Sequence, residues 1–348
     1  MPPPPPHPAR SPASASQRVI LGLVEVDSAQ HAVAGGIVLA RRCAAQALRE
    51  PRAPPSHAAE VRVVMVVRLT EGRTTAWQVV DHVQRALYSA VVLRLAEANV
   101  PPSDLQVDVL FLDLCGDQLI RQLSPFVSCV YLAKQGEKPC QPFQALLQTI
   151  TAKPESLPAD PAVAEPAFVA RDTELPQRSR HVALGGTFDH LHIGHKLLLT
   201  VSAWIATTVL ICGIMDDDAR LAKKTCGEHI EAFAMRRDHV RGFLDQCGPG
   251  RGLELRLEPI MDDYGPTRHD AAITAIVGSL ETQQGCRRVN DIRAEAGLPP
   301  LDVYTVGVLS TATKDGSPSS DEALNAIAQK ISSTAIRQLI DQRSAHAS

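Results

Sequence analysis

Residues Leu184 to His195 read L-G-G-T-F-D-H-L-H-I-G-H, and no other stretch constrains the fold as tightly. The apolar run from His181 to Leu184 leads into two glycines, Thr187, and two histidines, His192 and His195. Lys196 to Val201 then begins an apolar helical pattern. The order is strand, glycine turn, and a helix whose first turn carries His195. A strand that delivers glycines to a helix start is suited to phosphate, because backbone N–H groups and the helix dipole meet negative charge there. Histidines in the same turn add ring N–H donors. An ordinary strand-to-helix turn explains one glycine or one histidine; it does not explain the whole set.

The glycine spacing departs from G-x-G-x-x-G, with no acidic residue at the usual ribose distance. No G-x-x-x-x-G-K-[ST] string occurs, which excludes a P-loop kinase module. A length of 348 residues predicts two domains, and a net charge of -3 argues against a protein that holds nucleic acid by bulk charge. No apolar run reaches membrane-spanning length, so a cytoplasmic protein with no membrane span is expected. Residues 1–17 are rich in Pro, Ala and Ser. They are expected to be a disordered tail and not a secretory signal, with Arg10 and Arg18 leaving an organelle-targeting reading open. The eight cysteines form no C-x-x-C pair, so they are expected to be small buried hydrophobes in a reducing compartment.

Residues 18–150 read as a smaller N-terminal α/β domain. Val61–Val67 and 107–114 are strand-like, and 76–98 is helical, with Gly35-Gly36 readable as a turn. Residues 151–178 carry five prolines and few large apolar side chains, which predicts a linker. From 179 to 343, strand candidates at 181–184, 208–213, 253–259, 275–278 and 303–308 alternate with helical patterns. The helical patterns lie at 194–206, 229–246, 284–296 and 333–342. This alternation predicts a Rossmann-like, doubly wound parallel sheet, with ligand outside the C-terminal strand ends.

Ser332, Ser333 and Thr334 precede the helical pattern at 333–342, in the string I-S-S-T-A-I-R. One helix cap explains one hydroxyl; three make a clamp for nucleotide phosphates. This string and H-I-G-H resemble, in order, the two signatures of the HxGH nucleotidyltransferase superfamily. Between them lie Asp262-Asp263-Tyr264-Gly265-Pro266-Thr267, Ser279-Leu280-Glu281-Thr282, Gly285, Asn290 and Arg293. Together they resemble the eukaryotic and archaeal type of phosphopantetheine adenylyltransferase, the domain that animal CoA synthase fuses to dephospho-CoA kinase. Without a P-loop, the chain resembles the single-function fungal form. Leu280 stands where that family often has an acidic residue.

The resemblance implies transfer of an adenylyl group from ATP to 4'-phosphopantetheine, giving dephospho-CoA and pyrophosphate. It implies Thr187 near the attacking phosphate, His195 on the transferring phosphate, and Gly186, Phe188 and His192 around the nucleotide. Lys223 or Lys224 supplies positive charge to the substrate phosphate and transition state, with Tyr264 and Gly265 on the substrate side. Arg236 or Arg237, and Arg293, are further phosphate candidates. Adenine is expected on backbone groups near 306–312 and 331–333. Mg²⁺ is expected on the ATP oxygens and not in a protein metal site; Asp216, Asp217 and Asp218 read more simply as a solvated loop. Two alternatives stay open: a cytidylyltransferase acting on a phospho-alcohol, and a non-catalytic scaffold. The N-terminal domain carries no phosphate motif; docking on the catalytic domain or on other CoA-pathway enzymes is its expected use.

Overall fold

The computed structural model describes residues 18–27, 33–50, 61–133, 139–158, 174–247, 252–307 and 331–347, with isolated positions between. The expected tail at 1–17 lies outside these.

The N-terminal domain runs β1 (Arg18–Val26), α1 (Ala34–Arg49), β2 (Val61–Leu69), α2 (Trp77–Glu97), β3 (Gln106–Phe111), α3 (Leu112–Leu123), β4 (Val127–Ala133), α4 (Gln141–Leu147) and β5 (Pro154–Leu157). Its strands are all parallel, in the order β3-β2-β1-β4-β5. β1 and β2 are continuous apolar runs because both faces are covered by helices. Two expectations are corrected. Gly35 and Gly36 lie in the first turn of α1. There Gly36 lets the helix approach β1 and α2, since a Cβ would come within 2.9 Å of Leu87 and of Val24. Residues 154–157, expected in the linker, form edge strand β5. Pro154 is tolerated there as the first residue of an edge strand, where a missing N–H costs little.

The C-terminal domain runs β6 (Ser179–Gly186), α5 (Ile193–Ile205), β7 (Ala206–Met215), α6 (Asp218–Leu221), α7 (Phe233–Cys247), β8 (Glu254–Ile260), β9 (Ala275–Ser279), α8 (Gln283–Glu295), β10 (Asp302–Val306) and α9 (Ser333–Ala347). Its order, β10-β9-β6-β7-β8, is again parallel throughout. This is the expected doubly wound sheet. The chain reverses its direction of travel between β6 and β9, so the turn from β6 to α5 stands at the topological switch, where such sheets bind ligands.

One apolar core runs through both domains. α5 is the shared element: it lies over its own sheet and against α2 and β3. Trp204 at its end is fully buried and meets Phe111 edge-on at 5.9 Å. Its indole N–H donates to the Thr75 carbonyl at 3.2 Å. Trp77 of α2 meets Tyr304 of β10 at 5.6 Å. Burying side chains of this size contributes about 1.5–3 kcal/mol each, so the two domains are packed as one body. Among the described residues no helix is long and apolar enough to cross a membrane.

Candidate active site

The turn from β6 to α5 is built by its caps. His192 is the N-cap of α5, and its Nδ1 accepts the Gly194 N–H at 3.1 Å. His195 Nδ1 accepts the His192 N–H at 3.5 Å, closing a reciprocal box. The two rings stack at 3.8 Å and 27°, and Phe188 leans on His195 at 5.2 Å. Because each Nδ1 accepts, each neutral ring carries its proton on Nε2. The caps thereby fix both tautomers and leave two Nε2–H donors. Burial drives both rings toward the neutral form: His195 is lowered to about 3, and His192 falls well below its ordinary value, helped by His195 and Lys196. A neutral ring with its Nδ1 held by a backbone N–H is a fixed dipole, not a charge.

The approach to the turn is strained. Phe188 and His190 sit at φ +52° and +46°, left-handed values that side chains rarely adopt. Between them Asp189 is fully buried. One of its oxygens accepts the Glu231 N–H at 2.9 Å and the other accepts Arg337 at 2.7 Å. Glu231 returns the tie by accepting the His190 N–H at 2.8 Å. Burial raises the Glu231 carboxyl, but the His239 ring 3.4 Å away and the hydrogen bond from the His190 N–H outweigh it and hold the group below its usual range. Arg337 also donates to the Thr225 carbonyl at 2.9 Å. The Asp189–Arg337 pair therefore joins the two sequence signatures, 148 positions apart. The sequence reading quoted both residues inside its motifs but did not pair them. The available signal was one acid in the first string and one base in the second, each the only residue of its charge there.

The three hydroxyls divide their work. Ser332 accepts the Ala335 N–H at 3.2 Å as an ordinary cap, and Ser333 donates to the Asp189 carbonyl at 2.8 Å. Thr334 is exposed and accepts from Arg337 at 3.2 Å. The start of α9 is thus moored against the loop that precedes α5. Thr187 is half-buried, and its carbonyl accepts Arg236 at 2.8 Å. Gly186 ends β6 where a Cβ would press on the Phe188 ring at 3.2 Å.

Other expected residues fall further out or take another task. Arg293 is fully buried and donates to the carbonyls of Pro299, Thr267 and Asp270 at 2.7–2.9 Å. In place of the expected phosphate contact it staples the turn after β8 to α8. Its neighbour Asn290 does the same for Leu301, accepting its N–H at 2.8 Å and donating to its carbonyl at 2.9 Å. Arg236 is buried and holds the carbonyls of Thr187, Met215 and Glu231, each at 2.8 Å, from beneath the site. Arg237 is half-buried and pairs with Asp238 at 3.1 Å.

Lys223 and Lys224 are exposed on the turn after α6, next to the Thr225 carbonyl that Arg337 holds. Asp262 folds the D-Y-G-P turn by accepting the N–H groups of Tyr264 and Gly265 at 2.9 and 2.7 Å. Gly265, at φ +48°, backs onto Ile260. Asp217 caps α6, while Asp216 faces Arg236 at 3.8 Å. Asp189, His190 and Glu231 gather ligand-type atoms, as do Glu228, His229 and Asp341. Of the expected adenine segments, residue 308 and residues 310–312 lie outside the described residues.

A cleft of about 880 Å³ opens between the domains. It reaches the turn at His190, His192 and Lys196, and its far wall is Pro102 to Asp108 of the N-terminal domain. Thr187, His195 and Ser333 do not line it, so it flanks the turn from β6 to α5.

A profile of cytidylyltransferase-like proteins matches residues 183–339. The phosphopantetheine adenylyltransferase of Saccharomyces cerevisiae is 42% identical over 158 residues, 45% of this chain and 48% of that protein. The phosphopantetheine adenylyltransferase of Pyrobaculum aerophilum is 33% identical over 168 residues, 48% of this chain and 96% of that protein. That of Methanopyrus kandleri is 32% identical over 165 residues, 47% of this chain and 93% of that protein. The chain spans about half the length of the yeast relative and nearly all of the archaeal ones. The matched segment contains both the capped turn before α5 and the start of α9, and through it the chain belongs to the nucleotidyltransferase family of the archaeal phosphopantetheine adenylyltransferases.

Proposed function

We propose that this chain transfers the adenylyl group of ATP to 4'-phosphopantetheine, forming dephospho-CoA and pyrophosphate. A phosphate oxygen of the acceptor bonds to the α-phosphorus as the bond from that phosphorus to the bridging oxygen breaks. The electron pair leaves with pyrophosphate. An ionised acceptor phosphate needs no base, so the protein's work is positioning and stabilising charge.

The single observation that carries this reading is the reciprocal cap at α5, which fixes two neutral Nε2–H donors at a helix N-terminus. His195 donates to the transferring phosphate and His192 to the neighbouring phosphates. Thr187 orients the acceptor phosphate. Lys223 or Lys224 brings the positive charge that two neutral imidazoles lack. The start of α9, with Ser332, Ser333 and Thr334, faces the leaving phosphates. Tyr264 and Gly265 stand on the acceptor side. Mg²⁺ enters on ATP as part of the substrate, neutralising the triphosphate.

The test is nucleotide choice, because the matched profile is described as cytidylyltransferase-like. Purified protein with Mg²⁺ and 4'-phosphopantetheine is expected to form dephospho-CoA from ATP far faster than the cytidine analogue from CTP. A site built on one base's hydrogen-bonding edge leaves polar groups unpaired with the other. Equal use of both nucleotides, or transfer from CTP to phosphoethanolamine alone, overturns the proposal.

A further inference from the structure

The residue after His195 is Lys196, and its side chain runs away from the reactive turn into the N-terminal domain. Its Nζ lies 2.9 Å from Asp108 Oδ1 and donates to the Val107 carbonyl at 2.8 Å. Asp108 Oδ2 accepts from Arg62 Nε at 2.7 Å, and Arg62 donates through its other nitrogen to Gln246 of α7. Lys196, Asp108 and Arg62 are all buried, at 7%, 1% and 7% exposure. One residue further on, the Leu197 carbonyl accepts from Gln84 of α2 at 3.1 Å. A polar chain thus runs from α5 through β3 and β2 and back to α7.

Such a chain is a poor choice for stability alone. Two cations and one carboxylate leave water for one shared set of contacts, and apolar side chains of similar size would serve packing as well or better. What it supplies is a defined place. Lys196 donates its backbone N–H to the His192 carbonyl at 3.1 Å, so it is the first residue locked into α5 after the cap. Burial alone would raise the Asp108 carboxyl, but Arg62 and Lys196 hold it below the usual carboxylate range, which favours the ionised form.

We propose that Asp108 is a positioning residue for the adenylyl transfer proposed above: through Lys196, the N-terminal domain sets the place of the first turn of α5 and with it the two imidazoles. The inference rests on that reading of the reaction, but its geometry can be read without turnover.

The experiment compares Asp108→Asn and Lys196→Met with Val130→Ala. Val130 is buried on β4, which β1 separates from the strands that carry Arg62 and Asp108. Nitrogen NMR of the imidazoles reports tautomer and environment in the full-length protein without substrate. The histidine signals of Asp108→Asn and Lys196→Met are expected to shift or split away from the single Nε2–H pattern. Single-turnover transfer is expected to fall by roughly ten- to a hundred-fold, with the KM for ATP changed by less than about three-fold. Val130→Ala is expected to lower the melting temperature and leave both readouts intact. If Asp108→Asn does not fold, Lys196→Met decides, since Asp108 keeps Arg62 there. Unchanged imidazole signals and rate in the folded variants overturn the proposal. If the native protein makes no dephospho-CoA, the reaction assignment fails while the imidazole spectra still decide the positioning claim.

Discussion

The two sheets follow the same path. Each sends its first three strands to one side, returns, and adds two on the other, all parallel. They differ at the first crossover. α5 begins with a side-chain capping box made of two histidines, whereas α1 begins after Val33 with no side-chain cap bond. Glycines divide in the same way. In the N-terminal sheet Gly22 and Gly36 admit α1 close to its neighbours. In the C-terminal sheet Gly185 and Gly213 pair across β6 and β7 at the strand ends, beside Ile260. One layout thus serves packing in one half and a histidine-capped turn in the other. What separates them is the chemistry of a few turn residues, not the architecture.

The contrast breaks hardest at Asp189–Arg337: the buried pair of the N-terminal sheet, Arg62–Asp108, ties two neighbouring strands, whereas this one ties the turn before α5 to α9. Arg337→Met leaves Asp189 buried without its cation, and about 3–5 kcal/mol of stability is expected to go. Chemical denaturation measures it; a loss under about 1 kcal/mol would show that the two signatures are not joined through this pair.

His195→Ala comes next. Removing one preorganised donor typically costs about a hundred- to a thousand-fold in rate, and ATP affinity by calorimetry is expected to stay within a few-fold. The same variant carries a pH signature. The folded His195 sits at about 3 against an ordinary 6.5, so the unfolded chain binds the proton first. Its share of stability is whole above about pH 6.5 and is lost as pH falls toward 3. The variant's stability should therefore fall less steeply with acid over that window. An unaltered slope would mean that this ring is not held neutral.

The two helix starts can be compared through matched glycines. At Gly194 a Cβ would come 3.0 Å from the His192 ring, so Gly194→Ala is expected to slow transfer by roughly ten-fold. At Gly35 the nearest atom is Ala133 Cβ at 3.8 Å, an ordinary contact. Gly35→Ala is expected to add about 0.4–1 kcal/mol and to leave transfer unchanged. Steady-state rates and melts on both variants would undo the comparison if the two behaved alike.

Most of the C-terminal sheet was legible because apolar runs and helical periods are local properties. The predicted strand at 208–213 is β7, and the helix at 194–206 is α5 within one residue. The capped turn was legible for the same reason: its residues are neighbours in sequence. Arg293 was grouped with the phosphate candidates because a cation in a family signature looks alike whether it meets phosphate or carbonyls; its burial on three carbonyls becomes visible only in the fold. Pro154 suggested a linker because proline disfavours strands in general, and its permission at an edge depends on which strand ends the sheet. Lys196 was passed over as one more polar residue on an apolar helix. Its partner Asp108 lies 88 positions upstream by residue number, in a domain with no motif of its own.

The Asp189–Arg337 knot also fixes an order in time. As the chain is synthesised, domains fold as they emerge, the N-terminal one first. The holder of Lys196 is then in place before α5 arrives. The loop carrying Phe188 and His190 in left-handed conformations follows, but its buried carboxylate has no cation until α9 has emerged, 148 residues behind. Until then the nascent turn has its histidines and lacks its shape. On a chain still being made, the turn before α5 is therefore expected to take its final shape only once α9 can supply Arg337.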